Sequence, residues 1–263
     1  MPPPETELPQ IPRAPWSAVS ESFMRTWGYP DGKFNPEHLE ILGPNGSGKT
    51  YLEATVLQER VRLRNSAVIF IATKPVDATI TQLGWPVTDT WKGVTENRQV
   101  IYWPRTDLLG EAWSAYMAAK IEDLLSRLWR AKAKVIIVFD EIATSEELST
   151  RVKLIIKRFW REARSVGITI VAMKQRPQGI QRDMHSEAAW IAAFKPKDEE
   201  DGMRVAQIMG SKKLWLPVLN SLDRDNHEFV LLHSRSGDAV VSWVDVPLRP
   251  AVKEQRGLYR KAS

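Results

Sequence analysis

The stretch that most restricts the fold is Gly43-Pro44-Asn45-Gly46-Ser47-Gly48-Lys49-Thr50, together with what brackets it. His38–Leu42 reads as a short apolar strand running directly into it. Ser47 to Arg64 reads as a helix running out of it. Glycines at these spacings let backbone N–H groups turn inward and approach an anion closely. The helix that starts there adds the positive end of its dipole. The pattern is that of a phosphate-wrapping loop, in the strand–loop–helix setting such a loop requires. Gly43, Asn45, Gly46, Ser47, Gly48, Lys49, Thr50 and Tyr51 are therefore the expected nucleotide contacts. The Lys49 ammonium is expected to bridge β- and γ-phosphates, and the Thr50 hydroxyl to ligate Mg²⁺.

The elements downstream fit that start. Apolar runs at 67–72, 99–103, 135–139, 168–173 and 188–194 read as buried strands, the strongest being Val135–Phe139. Between them, 107–131, 146–166 and 199–209 carry apolar residues at helical spacing. Residues 228–232 and 239–243 flank Ser236-Gly237-Asp238 and read as a hairpin. Alternating strands and helices predict an α/β fold of the RecA-like P-loop NTPase kind. It has a parallel central sheet, helices on both faces and a C-terminal β-hairpin.

The strand 135–139 ends in Asp140-Glu141, about 90 residues after the glycine loop. Asp140 is placed to hold the metal, through water, and Glu141 to polarise an attacking water. Adjacent acids can also merely cap a strand end, but the glycine loop supplies a reason for them. Gln175 follows the next strand. A glutamine there is ordinarily unremarkable; in this order of elements it stands beside Glu141, where it can sense the γ-phosphate or orient the water.

Composition sets the bounds. The 263 residues suffice for one large α/β domain, with Lys+Arg at 37 against 32 Asp+Glu and a net charge of +5. That balance by itself identifies no nucleic-acid binder. There are no cysteines, which excludes disulfides and Cys-ligated zinc. No apolar run approaches the ~20 residues of a membrane span, and the start lacks the features of a signal peptide. The expectation is a cytoplasmic protein without a transmembrane segment of its own; a viral one would sit in the host cytoplasm or with the virion. Eight of the 17 prolines lie in residues 1–36, which read as an extended arm with one short helix from Trp16 to Trp27. Residues 37–248 are the expected motor domain, and 249–263 a basic tail.

Several nucleotide-loop families can be set aside. Leu124-Leu125-Ser126-Arg127-Leu128-Trp129 lacks the Gly-Gly-Gln signature of ABC transporters, and no room is left for the nuclease domain of viral terminases. Arg164-Ser165-Val166-Gly167-Ile168, followed through Ala172-Met173-Lys174 to Gln175-Arg176-Pro177, resembles the Arg-Ala-Ala-Gly-Ile…Ala-Thr-Gln-Arg-Pro block of the FtsK–HerA superfamily of ring-forming DNA pumps. Lys174 departs from the family's usual threonine. The resemblance covers about residues 38–245 and rests on three blocks, of which this third carries the family.

It implies an ATPase using ATP and Mg²⁺, assembled as a homo-oligomeric ring, most simply a hexamer, that moves double-stranded DNA without sequence preference. Viral genome packaging comes first and plasmid or element transfer second, with a portal or membrane protein as docking partner. It also implies that Arg164 is an arginine finger acting on a neighbour's γ-phosphate, with Arg161 and Arg176 as runners-up. The alternative class is an assembly or secretion ATPase that pulls on protein, as in filamentous-phage export.

Residues 151–176 hold eight basic side chains against one acid. Lys153, Lys157, Arg158 and Arg161 are the candidate DNA contacts, by phosphate neutralisation, or else a solvated helix face. The basic tail (Arg249, Lys253, Arg256, Arg260, Lys261) is a further candidate. Among the 11 tryptophans, Trp113 and Trp129 fall in core patterns, while Trp27 with Tyr29 offers a stacking surface for adenine.

Overall fold

The computed structural model describes residues 10–29, 32–175 and 182–249, the side chains of 182–184 excepted. Among them the strands are β1 (Arg13–Pro15), β2 (His38–Leu42), β3 (Val68–Ile71), β4 (Val87–Thr88), β5 (Gln99–Tyr102), β6 (Ile136–Phe139), β7 (Thr169–Lys174), β8 (Ala188–Phe194), β9 (Phe229–His233) and β10 (Ala239–Trp243). They form one sheet in the order β1-β10-β9-β8-β2-β7-β6-β3-β5-β4. From β8 to β4 every pairing is parallel. β9 runs antiparallel to both β8 and β10, and β1 runs parallel to β10.

Alternation along these strands builds two cores, because successive side chains point to opposite faces. Ile69, Ile71, Ile137, Phe139, Ile170 and Ala172 face one way. They meet α5 (Gly110–Ala131) through Met117, Ile121, Leu124 and Leu128, and α7 (Thr150–Glu162) through Val152, Ile156, Phe159 and Trp160. Val68, Phe70, Ile136, Val138, Val171 and Met173 face the other way, onto α2 (Lys49–Arg64) and α1 (Trp16–Thr26). Helices thus cover both faces, and each central strand is buried on both sides, which is why it reads as an unbroken apolar run. The short helices α3 (Ala78–Thr81), α4 (Trp91–Glu96), α6 (Ile142–Glu147) and α8 (Arg182–Glu187) fill the connections, and α9 (Glu199–Ile208) and α10 (Lys212–Ser221) join β8 to β9.

Two expectations change here. The N-terminal segment does not extend away as an arm: from Arg13 to Trp27 it lies on its own sheet. Trp16, Phe23, Met24 and Trp27 are all buried, at helical spacing, and form one stripe against Phe229 and Leu231. The basic helix expected over 146–166 is three pieces, α6, α7 and a 3-10 turn at Ala163–Val166 that ends on left-handed Gly167.

The central strand β2 carries polar residues in the core, and each is satisfied. The His38 ring donates from Nε2 to the Trp160 carbonyl (3.1 Å) and accepts at Nδ1 from the Ile170 N–H (3.0 Å), tying β2 to α7 and β7. Burial, helped by the charge of Arg164, pulls its pKa down to about 3, so the ring is neutral. Glu40 pairs with His185 of α8 at 2.7 Å.

Candidate functional site

The loop Gly43–Thr50 leaves β2 and enters α2 as expected. The Gly43 N–H donates to the Lys174 carbonyl (3.1 Å), which fixes the start of the loop to β7. A Cβ on Gly43 would stand 2.7 Å from the Phe194 Cβ, closer than any side chain tolerates. Gly48 begins the helix in the left-handed region, at φ +94°. No side chain caps α2 and no acid lies in its first turn. A 16-residue helix therefore presents its first N–H groups and its positive dipole end to whatever anion occupies the loop. The Lys49 ammonium folds back to the Pro44 carbonyl (2.8 Å) and is only 8% exposed. Burial lowers its pKa to about 8 against the opposing pull of Glu141.

β6 delivers Asp140 and Glu141 beside this lysine. Asp140 is buried. Its Oδ1 accepts from the Lys74 ammonium at 3.0 Å, and its Oδ2 has no partner among the described residues. Burial raises the pKa of both carboxyls, with Lys74 opposing most strongly at Asp140 and Lys49 at Glu141. Lys74 follows β3, the parallel neighbour of β6. Burial works against its charge, but Asp140 and Asp77 outweigh this and raise it. Behind the loop, Glu53 of α2 is fully buried with both oxygens unpartnered among the described residues. Burial, then the charge of Asp140, pushes its pKa well above the usual carboxylate range.

A magnesium ion fits these donors. It would be held by the Thr50 hydroxyl and Asp140, whose buried, unpartnered Oδ2 is the kind of oxygen a hard divalent cation satisfies. No group of three His, Asp or Glu able to hold a metal occurs among the described residues. The remaining ligands would be phosphate oxygens and water, as is usual for this ion.

Gln175, at the end of β7, lines a cavity of about 300 Å³ with Pro44, Asn45, Gly46 and Ser47. Sequence reasoning missed the rest of that lining: Lys197 after β8, Asp201 in α9, and Arg224 before β9. It also missed Lys74, Glu53 and His227, whose ring packs against Gly48. None of these has a local motif: Glu53 lies in α2 itself, Lys74 follows β3, Lys197 and Asp201 follow β8, and Arg224 and His227 lie in the connection before β9.

Arg164 lies elsewhere. It precedes β7, at the end of the sheet opposite the loop, and its Nε donates to the Pro36 carbonyl at 2.8 Å. One strand length of about 16 Å separates that end from the phosphate loop, so it cannot serve its own site. Of its runners-up, Arg161 is exposed on α7 and Arg176 lies outside the described residues. Lys153, Arg158 and Arg161 are exposed and Lys157 half-buried. Arg158 is engaged locally, donating to Glu162 at 2.9 Å and stacking on Trp129. Lys174 of the basic stretch is buried at the end of β7 and belongs to no surface stripe.

The adenine surface expected at Trp27 and Tyr29 is at the wrong end. Trp27 is fully buried in the core, and Arg60 and Arg64 stack on Tyr29 at the C-terminal end of α2. That is about 22 Å along the helix from Lys49. Tyr51, by contrast, sits beside Thr50. Its hydroxyl accepts from the Leu248 N–H and donates to the Val246 carbonyl, both at 3.1 Å. Arg249, first of the expected tail, is fastened to α2 through Gln58; Lys253, Arg256, Arg260 and Lys261 lie outside the described residues. No helix among the described residues is long and apolar enough to cross a membrane.

No protein-family model matches the chain, and no curated protein matches it. Solved structures do. The genome packaging NTPase B204 from Sulfolobus turreted icosahedral virus 2, in complex with sulfate, superposes with a TM-score of 0.64 at 11% identity, over 80% of this chain and 98% of its own. B204, the DNA-packaging ATPase from Sulfolobus turreted icosahedral virus, gives 0.60 at 15% identity, over 81% and 100%. VirB4 of Thermoanaerobacter pseudethanolicus gives 0.62 at 9% identity, over 86% and 92%. The B204 of Sulfolobus turreted icosahedral virus 2 was also solved with AMP and with ATP-γS. At these identities the likeness is one of fold: a P-loop ATPase fold shared with the packaging ATPases and VirB4.

Proposed function

We propose that this chain is an ATPase of the FtsK–HerA type that moves double-stranded DNA. The observation that carries the reading is the convergence, at one end of the sheet, of an uncapped helix start, Lys49, Asp140, Glu141 and Gln175. They come from three elements, the start of α2 and the ends of β6 and β7, and each matches a step of phosphoryl transfer to water. The loop N–H groups and Lys49 hold the β- and γ-phosphates. Glu141, its basicity raised by burial, accepts the proton of the attacking water, and Gln175 orients that water. Thr50 and Asp140 would hold magnesium, which would supply charge neutralisation on the phosphates.

In this reading the RecA-like motor works as a ring. Arg164, remote from its own loop, reaches the γ-phosphate held by a neighbouring copy, and a hexamer is the expected assembly. Lys153, Lys157, Arg158 and Arg161 of α7 contact the DNA backbone. Viral genome packaging is the favoured setting, with a portal or membrane protein as docking partner, and the fold shared with two B204 packaging ATPases supports it.

The test is ATP hydrolysis by purified protein with and without long double-stranded DNA, beside an Arg164→Ala control. Strong stimulation by DNA, lost in the variant, is expected. Hydrolysis that ignores DNA would favour a motor acting on protein instead.

A further inference from the structure

The nucleotide cavity has a wall that none of the three sequence blocks supplies. It is the connection from α10 to β9, residues 223–228. Bonds at both ends hold it rigid. Asp223 Oδ1 accepts from the backbone N–H of Asp225 at 2.9 Å and of Asn226 at 3.4 Å. The Glu228 N–H returns to the Asp223 carbonyl at 2.9 Å. The buried Glu228 carboxylate accepts from the Asp223 N–H at 2.7 Å and from Arg13 at 2.7 Å.

Held in this way, His227 adopts a left-handed φ of +52°, uncommon for a residue with a side chain. Its Cβ lies 3.3 Å, and its ring 3.4–3.5 Å, from where a Cβ on Gly48 would stand. The loop is therefore seated directly on the phosphate loop. Arg224, three residues earlier, lines the same cavity as Pro44, Asn45 and Gln175. A 2.9 Å bond to the Pro196 carbonyl locates its guanidinium and uses one of five N–H donors.

That end of the phosphate loop is also where the Lys49 ammonium lies, on the Pro44 carbonyl. A terminal phosphate held by Lys49 would lie at the Pro44 side of the loop, the side that Gln175 and Arg224 also line. A diphosphate stops short of it.

We propose that Arg224, carried on the loop seated on Gly48, contacts the terminal phosphate of the nucleotide bound by its own chain and makes the site prefer triphosphate over diphosphate. This rests on the nucleotide reading above and is separate from the role of Arg164, which acts in trans. A guanidinium suits the task because it offers several donors in a fixed plane and is always charged.

The test is calorimetric titration of wild-type, Arg224→Ala and Arg224→Lys proteins with a non-hydrolysable ATP analogue and with ADP, both with magnesium. Arg224→Ala is expected to lose about tenfold or more in analogue affinity. ADP affinity should stay within about twofold, because that ligand lacks the group concerned. Arg224→Lys should recover part of the loss. Parallel loss of both ligands would mark a merely structural residue and overturn the proposal, as would undiminished preference in Arg224→Ala. Wild-type protein that binds neither ligand would overturn the nucleotide reading itself, and this inference with it.

Discussion

Lys49 is charged under protest. Burial holds its pKa near 8, far below the ordinary lysine value of 10.5. Between those values the unfolded chain binds a proton that the folded, ligand-free protein does not, so this residue's contribution to stability rises with pH across that window. A polyphosphate favours the charged form and reverses the balance. Nucleotide binding should therefore take up close to one proton at pH 9 and almost none at pH 7, and should weaken as pH rises above about 8. Calorimetry in buffers of different ionisation heat measures this directly; equal proton uptake at both values would contradict it. Glu141 is the second residue on which the proposed mechanism turns. Glu141→Gln should cut hydrolysis by about 10²–10⁴-fold while leaving analogue affinity within a few-fold. A variant turning over at the wild-type rate would remove the general-base assignment.

At the scale of elements, α1 is the part whose role changes most. Trp16 and Trp27 are 1% and 0% exposed and pack through Phe23 onto the sheet. Arg60 reinforces the join, donating to the Trp27 carbonyl and stacking over the Trp27 ring. Either Trp16→Ala or Trp27→Ala should cost about 3–5 kcal/mol, the range for emptying a large aromatic site. Leu109→Ala, at a position 85% exposed, should cost under about 0.5 kcal/mol. Urea denaturation of the three variants separates the cases. A Trp27→Ala protein as stable as wild type would mean that α1 is not part of the folding unit.

For the whole molecule, the placement of Arg164 at the opposite end of the sheet from the phosphate loop makes the ring testable without imaging it. Arg164→Ala and Glu141→Gln should each be nearly inactive alone. Mixed and allowed to exchange subunits, they should regain activity, because some interfaces then pair an intact Glu141 with an intact Arg164. Hydrolysis measured across mixing ratios should pass through a maximum. A flat, inactive profile, with subunit exchange verified, would assign Arg164 a role within its own subunit. The bond from its Nε to the Pro36 carbonyl anchors Arg164 at that end of the sheet.

The sequence by itself determined whatever depends on neighbours along the chain. The strand–glycine loop–helix unit was legible because β2, the loop and α2 are contiguous. Phe139-Asp140-Glu141 was legible because a doubly buried strand must be apolar until the residue that leaves it. Strand periodicity likewise indicated helices on both faces. Tertiary structure decided what comes from crossovers. Lys74 reaches Asp140 from the end of β3, Arg224 and His227 reach the phosphate loop from the connection before β9, and nothing in their local sequence distinguishes them from solvated residues. The same holds for α1: prolines around it suggested an arm, and only the apolar stripe of Trp16, Phe23, Met24 and Trp27 meeting Phe229 across the fold made it core. Local pattern fixes conformation; which distant groups share a cavity depends on the order in which the strands pair.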